Sequence, residues 1–238
     1  MVKKSLKICQ LYQKDMNIYG DTGNVLALKH RAEQRGIVVT TTTCEVGEKL
    51  ETDIDILVGG GGQDSGQSRV EQDLLKKGKL LRGMADDGVP MVLICGLYQL
   101  FGHRFVTQEG EDIKGIGLFD LETIASSDRM IGNIVITSQF GQMVGFENHS
   151  GKTYLKGAAS LGDVVSGAGN NGETGEEGAI YNNAFGTYMH GPVLPKNPRF
   201  ADHLLLKSLQ RKFGISILDP IDDTEELFAA EMASKLPR

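Results

Sequence analysis

The segment PMVLICGLYQLFG, residues 90–102, constrains the chain most: an apolar, strand-like run passes straight into a helix-like one with no turn cluster between. Such a join puts Cys95 on a sharp strand-to-helix turn at the carboxyl end of a buried strand. The preceding sequence supplies neighbours for that strand. Residues 6–12 (LKICQLY), 37–43 (IVVTTTT) and 54–58 (IDILV) read as strands. Residues 25–35 read as a helix, with Asp21 or Thr22 as cap and Gly36 as stop, and residues 71–84 as a second helix. This β-α-β-β-α order predicts an α/β domain whose predominantly parallel sheet is flanked by helices, with ligands at the carboxyl ends of the strands.

Residues 115–155 change character. GLFDLET, MIGNIVITSQ and QMVGFEN alternate apolar and polar positions between short polar joints, which predicts an antiparallel layer added to the parallel sheet. Residues 157–178 are dense in glycine and polar side chains and read as a long loop; its glutamates Glu173, Glu176 and Glu177 are candidates for contact with a partner. AIYN and FGTYMHG read as a last strand pair, followed by a helix over about 197–212. We read 1–238 as one domain, with 214–238 an acidic, helical tail.

Charge and cysteine usage exclude several function classes. With 31 acidic against 25 basic residues there is no basic field to hold a phosphate backbone, so nucleic acid is not an expected partner. No apolar run approaches the ~18–20 residues needed to span a bilayer, and charges interrupt the start before a signal-peptide core could form; a cytoplasmic protein without membrane insertion is expected. Cys9, Cys44 and Cys95 are too scattered for a disulfide framework or a metal knuckle, and no metal site is expected.

Cys95 is the candidate nucleophile, with Gly96 keeping the approach to it open; the same pattern is equally met by a small buried apolar residue at a strand end. Of five histidines, His190 ends the apolar run FGTYM on the same rim as Cys95 and is the best base; His103 and His149 have no strand end to aim them, and His30 and His203 lie in helical patterns. Gly59–Gly62, directly after IDILV, can turn backbone N–H groups toward a bound oxygen as an oxyanion hole or a phosphate cradle, or serve as a plain turn. GFENHSGKT is one residue out of register for a P-loop, so this chain is not expected to bind ATP.

PMVLICGLYQLFG resembles the nucleophile elbow of class I glutamine amidotransferases, a flavodoxin-like fold, in their cobyric-acid-synthase-like branch, and GTYMHG resembles that branch's catalytic-histidine segment. MNIYGDTGN, VGGGGQD, GFENHSGKT and NNAFGTYMHGPVLPKNP resemble the glutaminase subunits of lipid II isoglutaminyl synthases, over about residues 8–213. Leu97 departs from the branch's usual second glycine, and Pro192 stands where many members carry the acid that orients the histidine. The resemblance implies a glutaminase in which Cys95 attacks L-glutamine, His190 moves the protons, and amides of Gly60, Gly61, Gly62 and Gly96 hold the oxyanion. It implies Arg129 as the residue that pairs with the substrate α-carboxylate. It further implies a Mur-ligase-like partner subunit (MurT), with ATP and magnesium on that partner and no cofactor in this chain. The partner would amidate the D-glutamate α-carboxyl of lipid II to D-isoglutamine, a step of peptidoglycan synthesis. The rival readings are an amidotransferase serving a corrinoid-amidating synthetase and a catalytically silent binding module. The missing acid is expected from the partner.

Overall fold

A computed structural model describes residues 4–236; the ends of the 1–238 domain, and with them the last two residues of the tail, lie outside the described residues. The predicted strands form one six-stranded sheet. It contains β1 (Ser5–Leu11), β2 (Val38–Cys44), β3 (Ile56–Gly59) and β4 (Met91–Ile94), with two later strands, Ala179–Tyr181 and Ala184–Thr187. Numbering the intervening strands in chain order makes these last two β11 and β12, and the sheet order is β11-β12-β4-β3-β1-β2. Every pairing in it is parallel except β11 with β12. All four residues of β3, β4 and β12 are buried, as expected of central strands covered on both faces.

Helix α1 (Thr22–Glu33) packs on β1 and β2, and α4 (Pro198–Phe213) on β3. Helix α2 (Asp64–Asp86) starts seven residues earlier than the composition suggested, and α3 (Gly96–Leu100) follows β4 directly. Arg31, 3% exposed, ties α1 to the later chain through Asp202 and Asp223, and Arg35 also pairs with Asp202. The Asp223 pair fastens the tail, whose helix α5 (Thr224–Ser234) buries none of its own residues.

The expected antiparallel layer is a second sheet of β5 (Arg104–Val106), β6 (Asp112–Lys114), β7 (Leu121–Ser138), β8 (Gly141–Leu155), β9 (Gly162–Ser166) and β10 (Glu176–Glu177), antiparallel throughout except where β5 pairs β7 in parallel. Only the end of GLFDLET, from Leu121, joins MIGNIVITS in the single long strand β7. The polar joint between them becomes a register shift between Ala125 and Met130, and Arg129 sits in it.

The long loop expected over 157–178 is instead largely organised. It contains β9 and β10, and Asn170 and Asn171 are buried within it. Gly169, Gly172, Gly175 and Gly178 take positive φ and make the tight turns. Asn170 accepts the Gly178 N–H at 2.9 Å and donates to its carbonyl at 3.0 Å. Glu177 is fully buried, which corrects the partner-contact expectation for that residue, whereas Glu173 pairs with Lys152 and keeps 57% of its side chain exposed.

Candidate active site

Cys95 sits at φ 49°, ψ −103°, where a side chain other than glycine is strained. Two neighbours hold it there. Its N–H donates to Thr187 O at 2.9 Å, and its carbonyl accepts the Gln99 N–H at 2.9 Å, starting α3. The thiol-bearing residue is thus pushed out at the end of β4, beside the end of β12. The Leu97 side chain is buried against the end of β3, where a β-carbon on Gly59 would meet its Cδ1 at 2.6 Å. A β-carbon on Gly96 would meet Met16 Cε at 2.7 Å and Gly62 N at 3.1 Å. Glycine is therefore required at position 96 to let the loop after β3 approach the elbow.

His190 lies three residues past β12 and is pinned through its backbone: its N–H donates to Phe146 O at 2.7 Å. Cys95 and His190 meet across Gly61, whose β-carbon would lie 3.2 Å from Cys95 Cβ and 2.9 Å from His190 Cε1. The imidazole is 1% exposed, and among the described residues neither ring nitrogen has a hydrogen-bond partner. Burial, reinforced by His149, pushes its pKa down to about 3, so the ring is neutral at physiological pH. Tyr19 covers it, with ring centroids 4.3 Å apart.

A cleft of about 330 Å³ opens beside Cys95, lined among others by Tyr19, Gly62, Gln67, Gln99, Arg129 and His149. Arg129 reaches it from the β7 irregularity and spends its Nε on Asn148 Oδ1 at 2.7 Å. No described residue engages the remaining guanidinium fork, which suits it to a carboxylate.

The glycine run does not act as one unit. Gly61 donates its N–H to Asp21 Oδ2 at 2.8 Å, so it is not an oxyanion donor in this structure. Gly60 offers its carbonyl to the Leu97 N–H at 3.3 Å. Gly62 N, which a Gly96 β-carbon would meet, is the amide of the run at the elbow.

Sequence reasoning passed over several residues of the cleft. His149 is buried in β8, its ring stacked on Tyr188 at 3.6 Å, with Nδ1 on Gly151 O at 2.8 Å. Tyr188 bonds Thr153 at 2.6 Å and Gln99 at 3.0 Å, and Gln67 donates to Gln99 at 2.7 Å. These contacts join segments far apart in the chain, so no local pattern announces them. GFENHSGKT lies inside β8 with Lys152 paired to Glu173, so its backbone is extended rather than wrapped as a phosphate loop. No helix among the described residues is long and apolar enough to cross a membrane.

Comparison with known proteins gives the family. The chain is 41% identical to the lipid II isoglutaminyl synthase (glutamine-hydrolyzing) subunit GatD of Staphylococcus aureus, over 95% of this chain and 94% of that one. It is 39% identical to the subunit of the same name from Streptococcus pneumoniae, over 97% and 90% of the two chains. A solved glutamine amidotransferase from Thermotoga maritima shares the fold, with TM-score 0.54 and 16% identity over 97% of this chain and 92% of that chain. Residues 7–198, which hold the elbow, the glycine run, Arg129 and His190, match the CobB/CobQ-like glutamine amidotransferase domain, and the chain belongs to that family.

Proposed function

We propose that this chain is the glutaminase subunit of a lipid II isoglutaminyl synthase. The observation that carries the chemistry is Cys95 on a strained elbow, facing His190 across Gly61, beside a cleft that Arg129 enters. Arg129 pairs with the α-carboxylate of L-glutamine, which places the side-chain amide at the thiol. Cys95 gives its proton to His190 and its sulfur attacks the amide carbon. The C–N bond breaks as His190 returns the proton to the leaving nitrogen, releasing ammonia and leaving a γ-glutamyl thioester. His190 then takes a proton from water, which adds to the thioester carbon; the C–S bond breaks, glutamate leaves, and His190 returns the proton to the Cys95 sulfur. Amides at the elbow hold the oxyanion in both steps.

Ammonia passes to a Mur-ligase-like partner subunit (MurT), where ATP and magnesium activate the D-glutamate α-carboxyl of lipid II. What supports this reading is the identity to two GatD subunits along nearly their whole length. No carboxylate among the described residues hydrogen-bonds His190, in keeping with an orienting acid that comes from the partner.

Cys95→Ala tests the proposal. The complex should lose glutamine-dependent amidation and keep ammonium-dependent amidation, because only the ammonia supply is removed. Loss of both would assign Cys95 a structural role.

A further inference from the structure

Apart from Tyr19 over His190 and Met16 against Gly96, the string MNIYGDTGN, residues 16–24, has no role in the site above, yet it wraps the loop after β3. Two successive peptide units of that loop are pinned in opposite senses. Gly60 O accepts the Leu97 N–H, and across the same trans peptide the Gly61 N–H points away, to Asp21 Oδ2 at 2.8 Å. Gly61 O accepts the Ile18 N–H at 3.1 Å, which turns the Gly62 N–H to the opposite side. That side is the elbow, since Gly62 N lies 3.1 Å from where a Gly96 β-carbon would be.

Asp21 is an unusual clamp. It stands at the N-cap of α1 but makes no capping bond with its side chain, which is turned onto Gly61 instead. It is 0% exposed and its Oδ1 has no partner among the described residues. A buried carboxylate held by one backbone amide is costly, and burial pushes its pKa up to about 6. Gly60 must be glycine to admit it, because a β-carbon there would lie 2.7 Å from Asp21 Oδ2. The helix gains nothing from this arrangement; the loop gains a fixed peptide plane.

We propose that Asp21 is a positioning residue for the glutaminase reaction: by holding the Gly61 amide it directs the Gly62 amide to the oxyanion and keeps Gly61 out of that role. The inference rests on the glutaminase reading and adds to it which amide is the donor and what sets it. Loss of the clamp weakens the transition state and leaves the Arg129 contact with the substrate intact.

The test compares Asp21→Ala and Asp21→Asn, each assembled with the ligase partner. Asp21→Ala should lower the glutaminase kcat about 10- to 100-fold, the scale of a misplaced oxyanion donor, with KM changed by less than about 3-fold. Ammonium-dependent amidation and alkylation of Cys95 by iodoacetamide should be unchanged. Asp21→Asn, which keeps an acceptor oxygen for Gly61, should restore kcat to within about 3-fold. A second measurement needs no variant: in the wild-type chain carrying a chloroketone analogue of glutamine on Cys95, the Gly62 amide resonance should move and the Gly61 amide should stay put and stay protected from exchange. An unchanged kcat in Asp21→Ala, failure of Asp21→Asn to rescue, or a Gly61 amide that responds in place of Gly62 would overturn the inference alone. A wild-type complex that hydrolyses no glutamine would overturn the glutaminase reading with it.

Discussion

Gly61 separates Cys95 from His190: a β-carbon on it would lie 3.2 Å from Cys95 Cβ and 2.9 Å from His190 Cε1. The second distance is shorter than a carbon contact tolerates, so Gly61→Ala must push the imidazole away from the thiol. We expect glutamine-dependent activity to fall at least about 100-fold, a typical cost of losing a positioned base, while ammonium-dependent amidation is retained. Parallel assays with the two nitrogen sources check this.

Arg129 offers a test of substrate binding. If its fork pairs with the glutamine α-carboxylate, Arg129→Ala removes a charge-assisted contact worth about 1.5–3 kcal/mol, or roughly 10- to 150-fold. The loss should appear in KM for glutamine. Arg129→Lys should recover little of it, because an ammonium cannot supply two parallel donors. A loss confined to kcat would remove Arg129 from substrate binding.

The three cysteines should differ sharply toward an electrophile. Burial pushes the Cys9 thiol up to about 12 and raises Cys44 as well, so neither provides thiolate near neutrality. A glutamine-analogue electrophile should add one mass to the intact chain, at Cys95. Peptide mapping that finds equal label on all three would contradict the site.

Two buried histidines set the acid limit of stability. Burial lowers His190 to about 3 and His149 to about 4, from an ordinary 6.5. The unfolded chain therefore binds more protons than the folded one between these values, and stability should fall as pH drops from 6.5 toward 3. Each unit of depression is worth about 1.4 kcal/mol for a group this buried. His190→Asn should flatten the fall, as read from denaturant midpoints at pH 7 and pH 4.5.

Glu177 should act with the opposite sign. Burial pushes its pKa up to about 7, against hydrogen bonds from the Thr187 hydroxyl and the Tyr188 N–H that favour the ionised form. The folded state then holds the proton more tightly, so stability falls as pH rises from 4.5 through 7. Glu177→Gln keeps an acceptor for both donors and sheds the buried charge. Its stability relative to wild type should rise between pH 5 and pH 8, by up to about 3 kcal/mol. Denaturation at the two pH values decides.

The antiparallel layer shows where local pattern stops informing. The alternation in β7 and β8 was legible, but GLFDLET and MIGNIVITSQ were split by a polar joint that the structure absorbs as a β-irregularity carrying Arg129. The segment 157–178 read as loose because its glycines and asparagines are usual loop residues. In the fold Gly167, Gly169, Gly172, Gly175 and Gly178 take positive φ, and Asn170 bonds Gly178 through both its amide atoms.

The sequence by itself determined the parallel sheet, the elbow and the placing of Cys95 and His190 on one rim. Those depend on local matters: apolar runs of strand length, a strand that meets a helix without a loop, and a histidine at the end of another strand. Tertiary structure decided which amides are donors, where His149 lies and what Asp21 does. Asp21 and Gly61 are 40 residues apart, and Tyr188 and Gln99 are 89 apart. A peptide plane turns to whichever acceptor the rest of the fold brings to it, and four adjacent glycines place no constraint of their own on that choice.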